Sequence, residues 1–132
     1  MTSFDTNVVV RLVVEDDPDQ CERAARAFRR AVTNGGVFFS ATVLVEVSWV
    51  LRVACKQDRA SIAGALRRLV GTAGVAVEND ERVRRAIGAF ETGPADFSDY
   101  LILEASRDAH ALPVLTFDAR FARSADVEQP EK

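Results

Sequence analysis

A chain of 132 residues is long enough for one hydrophobic core without disulfide or metal staples, and 48% hydrophobic with 28% charged residues is the balance of an ordinary globular protein. A net charge of −3 argues against a module that coats nucleic acid through phosphate contacts alone, since such modules are basic. It leaves room for an enzyme that meets phosphate through bound divalent cations, which reverse the sign of an acidic pocket.

The two cysteines, Cys21 and Cys55, form no CxxC pair and read as free thiols of a reducing cytosol. The start Met1-Thr2-Ser3-Phe4-Asp5 has no basic n-region and no apolar run, so no signal peptide is expected. The longest apolar stretch, Val43 to Cys55, is broken by Glu46 and Arg52 and is too short to span a bilayer. A cytoplasmic protein without a membrane segment is the expectation.

In chain order, a short strand over residues 1–4 precedes the apolar run Val8 to Val13. Asp17-Pro18 is a helix start, an Asp cap with Pro at the first helical position, and that helix runs to Thr33 before the stop signal Asn34-Gly35-Gly36. Residues 37–40 read as a strand, and Thr42 as the cap of a helix reaching Lys56; because apolar residues surround it almost completely, this helix is expected to be buried. A helix over 58–70, a strand over 75–77 and a helix from Asn79 or Asp80 to Phe90 follow. Asp96 opens a helix to about Ala109, residues 114–117 form a strand, and Asp118 sits just past its end. Residues 1–123 then make a single α/β domain with a mostly parallel sheet, and residues 124–132 a polar, poorly ordered tail.

Four acids fall where such a sheet gathers ligands. Asp5 and Asp118 project from carboxyl ends of strands, the ligand-binding edge of open α/β sheets. Glu46 lies early in the helix after the second strand, and Asp99 shares a helix face with Asp96, three residues away. Helix capping is an alternative role for Asp5, Asp96, Asp99 and Asp118 taken singly. A salt bridge to Arg11 or Arg52 is the alternative for Glu46, since an unpaired buried carboxylate is costly. Taken jointly, several carboxylates drawn together repel one another, and a hard cation such as Mg²⁺ relieves the repulsion. Without a His cluster or a usable Cys pair, zinc is not expected. The chemistry that suits such a site is phosphodiester hydrolysis.

Phe4-Asp5-Thr6-Asn7, the helix around Glu46, Ala95 to Ile102, and Leu115-Thr116-Phe117-Asp118 resemble the four motifs of the PIN domain, and more narrowly those of VapC-type toxins. The resemblance implies a PIN-like three-layer fold, with a central, mostly parallel sheet of four or five short strands flanked by helices. It implies an endoribonuclease with Mg²⁺ or Mn²⁺ held by Asp5 and Asp99. Asp118 and Glu46 would complete the pocket, and Asp96 would serve as auxiliary ligand or base. Asn7, Thr116 and, more weakly, Ser40 match supporting polar positions. Arg11 and Arg120, with Arg52 and Arg123, are candidates for holding the RNA backbone. The resemblance further implies a homodimer, a cognate VapB-like antitoxin and a larger toxin–antitoxin assembly.

Two other readings compete. A catalytically silent PIN-like scaffold that binds RNA would lack one of the acids, and none is missing here. A phospho-accepting receiver domain needs a late lysine near a strand end, and the only lysines are Lys56 and Lys132.

Overall fold

Short runs, most of them containing Val, become parallel strands, and the longer segments between them become helices, most with identifiable caps. The computed structural model describes residues 1–132, in which two compact units, Met1–Asp80 and Glu81–Lys132, are distinguished by their internal contacts.

In the first unit, β1 (Thr2–Ser3), β2 (Val37–Phe39) and β3 (Val75–Val77) form a parallel sheet in the order β1-β2-β3. Thr2 lies opposite Val37, and Phe39 opposite Val77, so all three carboxyl ends share one edge. α1 (Thr6–Val13) packs on α2 (Pro18–Thr33) and on α3 (Ala41–Trp49), which a π-helical turn, Val50–Ala54, prolongs; α4 (Arg59–Gly71) leads back to β3. α2 begins as its sequence predicts, with the Asp17 carboxylate accepting from the Gln20 N–H and Pro18 at the first position. It ends where Gly35 takes φ +103° and the Gly36 N–H bonds back to the Ala31 carbonyl at 2.8 Å, a Schellman closure that an L side chain strains.

α3 departs from expectation in two ways. Its cap is Ser40, whose hydroxyl accepts from the Val43 N–H at 3.1 Å, rather than Thr42. Nor is it buried all round. Leu44, Val47, Ser48 and Leu51 are buried, whereas Thr42, Glu46, Trp49 and Val53 are exposed. Those four recur at helical spacing and form one outward stripe. Complete burial of Leu44, Val47 and Leu51 stabilises this element by roughly 2 kcal/mol per side chain.

The second unit holds α5 (Asp80–Thr92, its first residue closing the first unit), α6 (Phe97–Asp108), β4 (Val114–Leu115), a 3-10 turn (Phe121–Arg123) and β5 (Val127–Glu128), with β4 and β5 paired in parallel. The fourth strand is thus shorter than predicted. The tail is not featureless: Val127 is buried, and β5 pairs Val127 with Val114. Phe90, Phe97, Tyr100 and Phe121 are buried, with Phe90 edge-on to Phe97 and Tyr100 edge-on to Phe121. A Cβ at Gly93 would fall on the Tyr100 hydroxyl, so that ring fits only beside a glycine.

Arginines on α5 and α6 tie this unit together. Arg85 bonds Glu104 at 2.8 Å and Asp108 at 2.7 Å, Arg82 bonds Asp108 at 2.9 Å, and Arg107 bonds Glu104 at 3.2 Å and Asp126 at 2.6 Å. Glu104 is a buried carboxylate, and its two guanidinium partners supply the charge that its burial requires. α6 ends in a second Schellman closure. His110 takes φ +55°, its N–H bonds to the Arg107 carbonyl, and the Ala111 N–H bonds to the Ser106 carbonyl. His110 is therefore a helix terminator. The architecture is α/β with short parallel strands flanked by helices, in sheets of three and two strands. No helix is long and apolar enough to cross a membrane.

Candidate functional site

The carboxyl edge of the three-stranded sheet carries polar residues in each strand exit. Asp5 lies two residues past β1, Ser40 follows β2 directly, and Glu78 follows β3 directly. Parallel pairing brings these exits to one edge, as the sequence predicted for Asp5. Asp5 is exposed and caps α1, its Oδ1 accepting from the Thr6 N–H at 2.8 Å while Oδ2 has no protein partner. Ser40 caps α3. Two helix N-termini thus open from this edge, and their positive dipole ends favour anionic groups there.

Glu78 was not singled out from the sequence. Its Oε1 accepts from the Ala41 N–H at 2.9 Å, which ties the exit of β3 to the first turn of α3. The available signal was its position directly after the Val75-Ala76-Val77 run, masked by the stronger cap signals of Asn79 and Asp80. Glu46 lies six residues past the Ser40 cap, about 9 Å along the axis, and is exposed. The expectation that it is buried fails, and so does the salt-bridge alternative. Arg11 instead bonds Gln20 at 2.7 Å and Asp16 at 3.5 Å, and Glu46 pairs with neither Arg11 nor Arg52. Asn7, exposed in the first turn of α1, stands two residues from Asp5.

In the second unit Asp96 and Asp99 come together at the start of α6. The Asp99 Oδ2 accepts from the Asp96 N–H at 3.0 Å in a capping box, and both side chains are half-buried. The loop after β4 is organised around Asp118. The Asp118 N–H donates to the Thr116 hydroxyl at 3.0 Å, and its Oδ1 accepts from the N–H groups of Arg120 at 2.9 Å and Phe121 at 3.2 Å. Asp118 thereby caps the 3-10 turn with one oxygen while Oδ2 has no protein partner. Thr116 acts here by fixing the Asp118 backbone. Arg120 is exposed, and Phe117, predicted as a strand residue, lies beyond β4 with 86% of its surface exposed.

Asp5 and Glu46 belong to the first unit; Asp96, Asp99 and Asp118 belong to the second. Within neither unit do three His, Cys, Asp or Glu side chains gather closely enough to hold a metal ion. The donor chemistry nonetheless suits one class of cation. Every candidate ligand is a carboxylate, and Asp5 and Asp118 each keep one oxygen unspent, which matches hard ions that take oxygen ligands and retain water.

The sequence pattern of the PIN domain matches residues 3–127, nearly the whole chain and all of the acids described above. The chain belongs to the PIN domain family. No curated protein matches it. PIN domains are in general nucleases that act on RNA and use divalent metals. Within this PIN domain the match encloses both the β1–β3 edge that carries Asp5 and the α6 and β4 region that carries Asp99 and Asp118.

Proposed function

We propose that this PIN domain is a Mg²⁺- or Mn²⁺-dependent endoribonuclease, the VapC-type toxin of a type II toxin–antitoxin pair, which inhibits growth or translation by cutting RNA. The observation that carries the reading is the state of the aspartates. Asp5 and Asp118 each cap a helical turn with one oxygen and keep the other bare, so each is held rigidly while a ligand position stays open.

In this reading Asp5, Asp99 and Asp118 hold the metal. A bound ion would supply charge neutralisation at the scissile phosphate and would make the attacking water more acidic. The chain's own residues do the rest. Glu46 or Asp96 orients the attacking water and takes its proton, a role that suits carboxylates not committed to the ion. Asn7, Thr116 and Ser40 orient the ligands and their waters; Thr116 does so through its bond to the Asp118 N–H. Arg120 and Arg11 hold phosphate oxygens of the RNA backbone. The products carry a 5′-phosphate and a 3′-hydroxyl. A homodimer and a VapB-like antitoxin complete the proposed assembly in the cytoplasm.

The test is cleavage of total bacterial RNA in Mg²⁺ or Mn²⁺, beside EDTA and the Asp99→Asn variant, with new 5′ ends mapped by sequencing. Asparagine keeps an acceptor for the capping box, so the variant is expected to fold. Discrete cuts are expected that need the metal and fall on the order of 100-fold or more in the variant, since even residues that only orient a ligand cost 10–100-fold. Identical patterns from wild type and variant would overturn the assignment.

A further inference from the structure

α1 and α2 leave a groove between them whose rim is cationic. Its main recess has a volume of about 460 Å³, with Asn7 and Arg11 on the α1 side and Arg23, Ala24 and Ala27 on the α2 side. A second recess of about 270 Å³ shares Arg23 and Ala27 and continues to Arg26 and Arg30. The spacing explains the alignment: residues 23, 26, 27 and 30 recur on one face of α2, over about 10 Å of axis. Small side chains at Ala24 and Ala27 make the floor, and arginines make the wall.

Arg11 is held by Gln20 at 2.7 Å and Asp16 at 3.5 Å, but the α2 arginines are largely uncommitted. Arg26 and Arg30 form no ion pair, and the one partner of Arg23 is Asp19 at 3.8 Å, with both side chains well exposed. Such an exposed pair holds its arginine weakly. On a chain of net charge −3, three such arginines along one recessed face are a local feature and not a consequence of general basicity. Guanidinium groups in a row favour an occupant with repeated, planar-accessible oxygen anions. The groove also reaches Asn7 in the first turn of α1, two residues from Asp5. We infer that this groove is a phosphate-binding track, in which Arg23, Arg26 and Arg30 hold the backbone of an RNA strand that continues toward Asp5. The inference rests on the ribonuclease reading for its ligand and goes beyond it by naming where the strand lies.

The test uses the full chain with Asp99→Asn, so that RNA survives the measurement, and a fluorescent single-stranded RNA titrated over a range of salt. Each phosphate contact to a single strand contributes about 0.7 to the slope of log K against log salt. Combining Arg23→Gln, Arg26→Gln and Arg30→Gln is expected to reduce that slope by about 2, while the three Arg→Lys changes preserve most of it. Circular dichroism checks that α2 is retained. An unchanged slope and affinity in the Gln variant would overturn the track. So would unchanged RNA binding together with loss of binding to a poly-glutamate peptide, which would give the groove to an acidic protein segment. Cleavage by the chain with Asp99 intact is scored separately: if it fails while the slope still falls, the track stands and the catalytic reading is what falls.

Discussion

Single residues in this chain are committed to more than one task, and the clearest example of a purely structural commitment is His110. It sits at φ +55°, where a β-carbon is strained, and it closes α6 through the bonds of its own N–H and that of Ala111. Glycine adopts that conformation freely. His110→Gly is expected to stabilise the protein by about 0.5–1 kcal/mol in denaturant unfolding and to leave RNA cleavage unchanged. The aspartates are the opposite case. Capping and metal binding were alternative readings of Asp5 and Asp118, and the observed geometry makes them compatible, since each cap uses only one oxygen. Residue type and position were enough to point to these acids. They were not enough for Glu78, whose bond to the Ala41 N–H depends on how β3 exits beside α3.

At the scale of elements, helices whose ends carry strong local signals were legible. Asp17-Pro18, Asp58 and Asp96 all open helices as their types suggest, and Gly35-Gly36 ends one. α3 was legible in length but not in orientation. Valine dominates its composition, and the exposed stripe of Thr42, Glu46, Trp49 and Val53 contains two apolar members, so a polar face was hidden. β5 was missed for another reason: a two-residue strand has no periodicity of its own and exists only through β4. The α5–α6 ion pairs were not legible either, because arginines spaced along α5 say nothing about which acids face them.

Those pairs have a pH signature. The hydrogen bond from Arg82 is the largest influence on the Asp108 carboxyl; with the hydrogen bond from Arg85 and the charges of both arginines it outweighs desolvation and holds the group below its ordinary range. A carboxyl with a lowered folded value contributes stability that is present above the ordinary aspartate range, near pH 4, and lost as pH falls through the lowered value. Asp108→Asn is therefore expected to lower the Tm at neutral pH, with the gap to wild type closing as the buffer is taken below pH 4. A gap that persists unchanged in acid would mean that the ion pairs contribute nothing through ionisation.

For the molecule as a whole, family membership and α/β architecture agree with the order of motifs along the chain, and the residues assigned to catalysis come from both compact units. The proposed function assigns Asp5, Asp99 and Asp118 to the metal, and each assignment can be tested by itself. The most direct check is Mn²⁺ binding followed by electron paramagnetic resonance in the wild type, in Asp5→Asn and in Asp118→Asn. Both substitutions keep an acceptor for the cap and remove a charged ligand, one in each unit. The account predicts that each weakens Mn²⁺ binding by about 10-fold or more. Wild-type affinity in either variant would contradict it, because that aspartate would then not be a metal ligand.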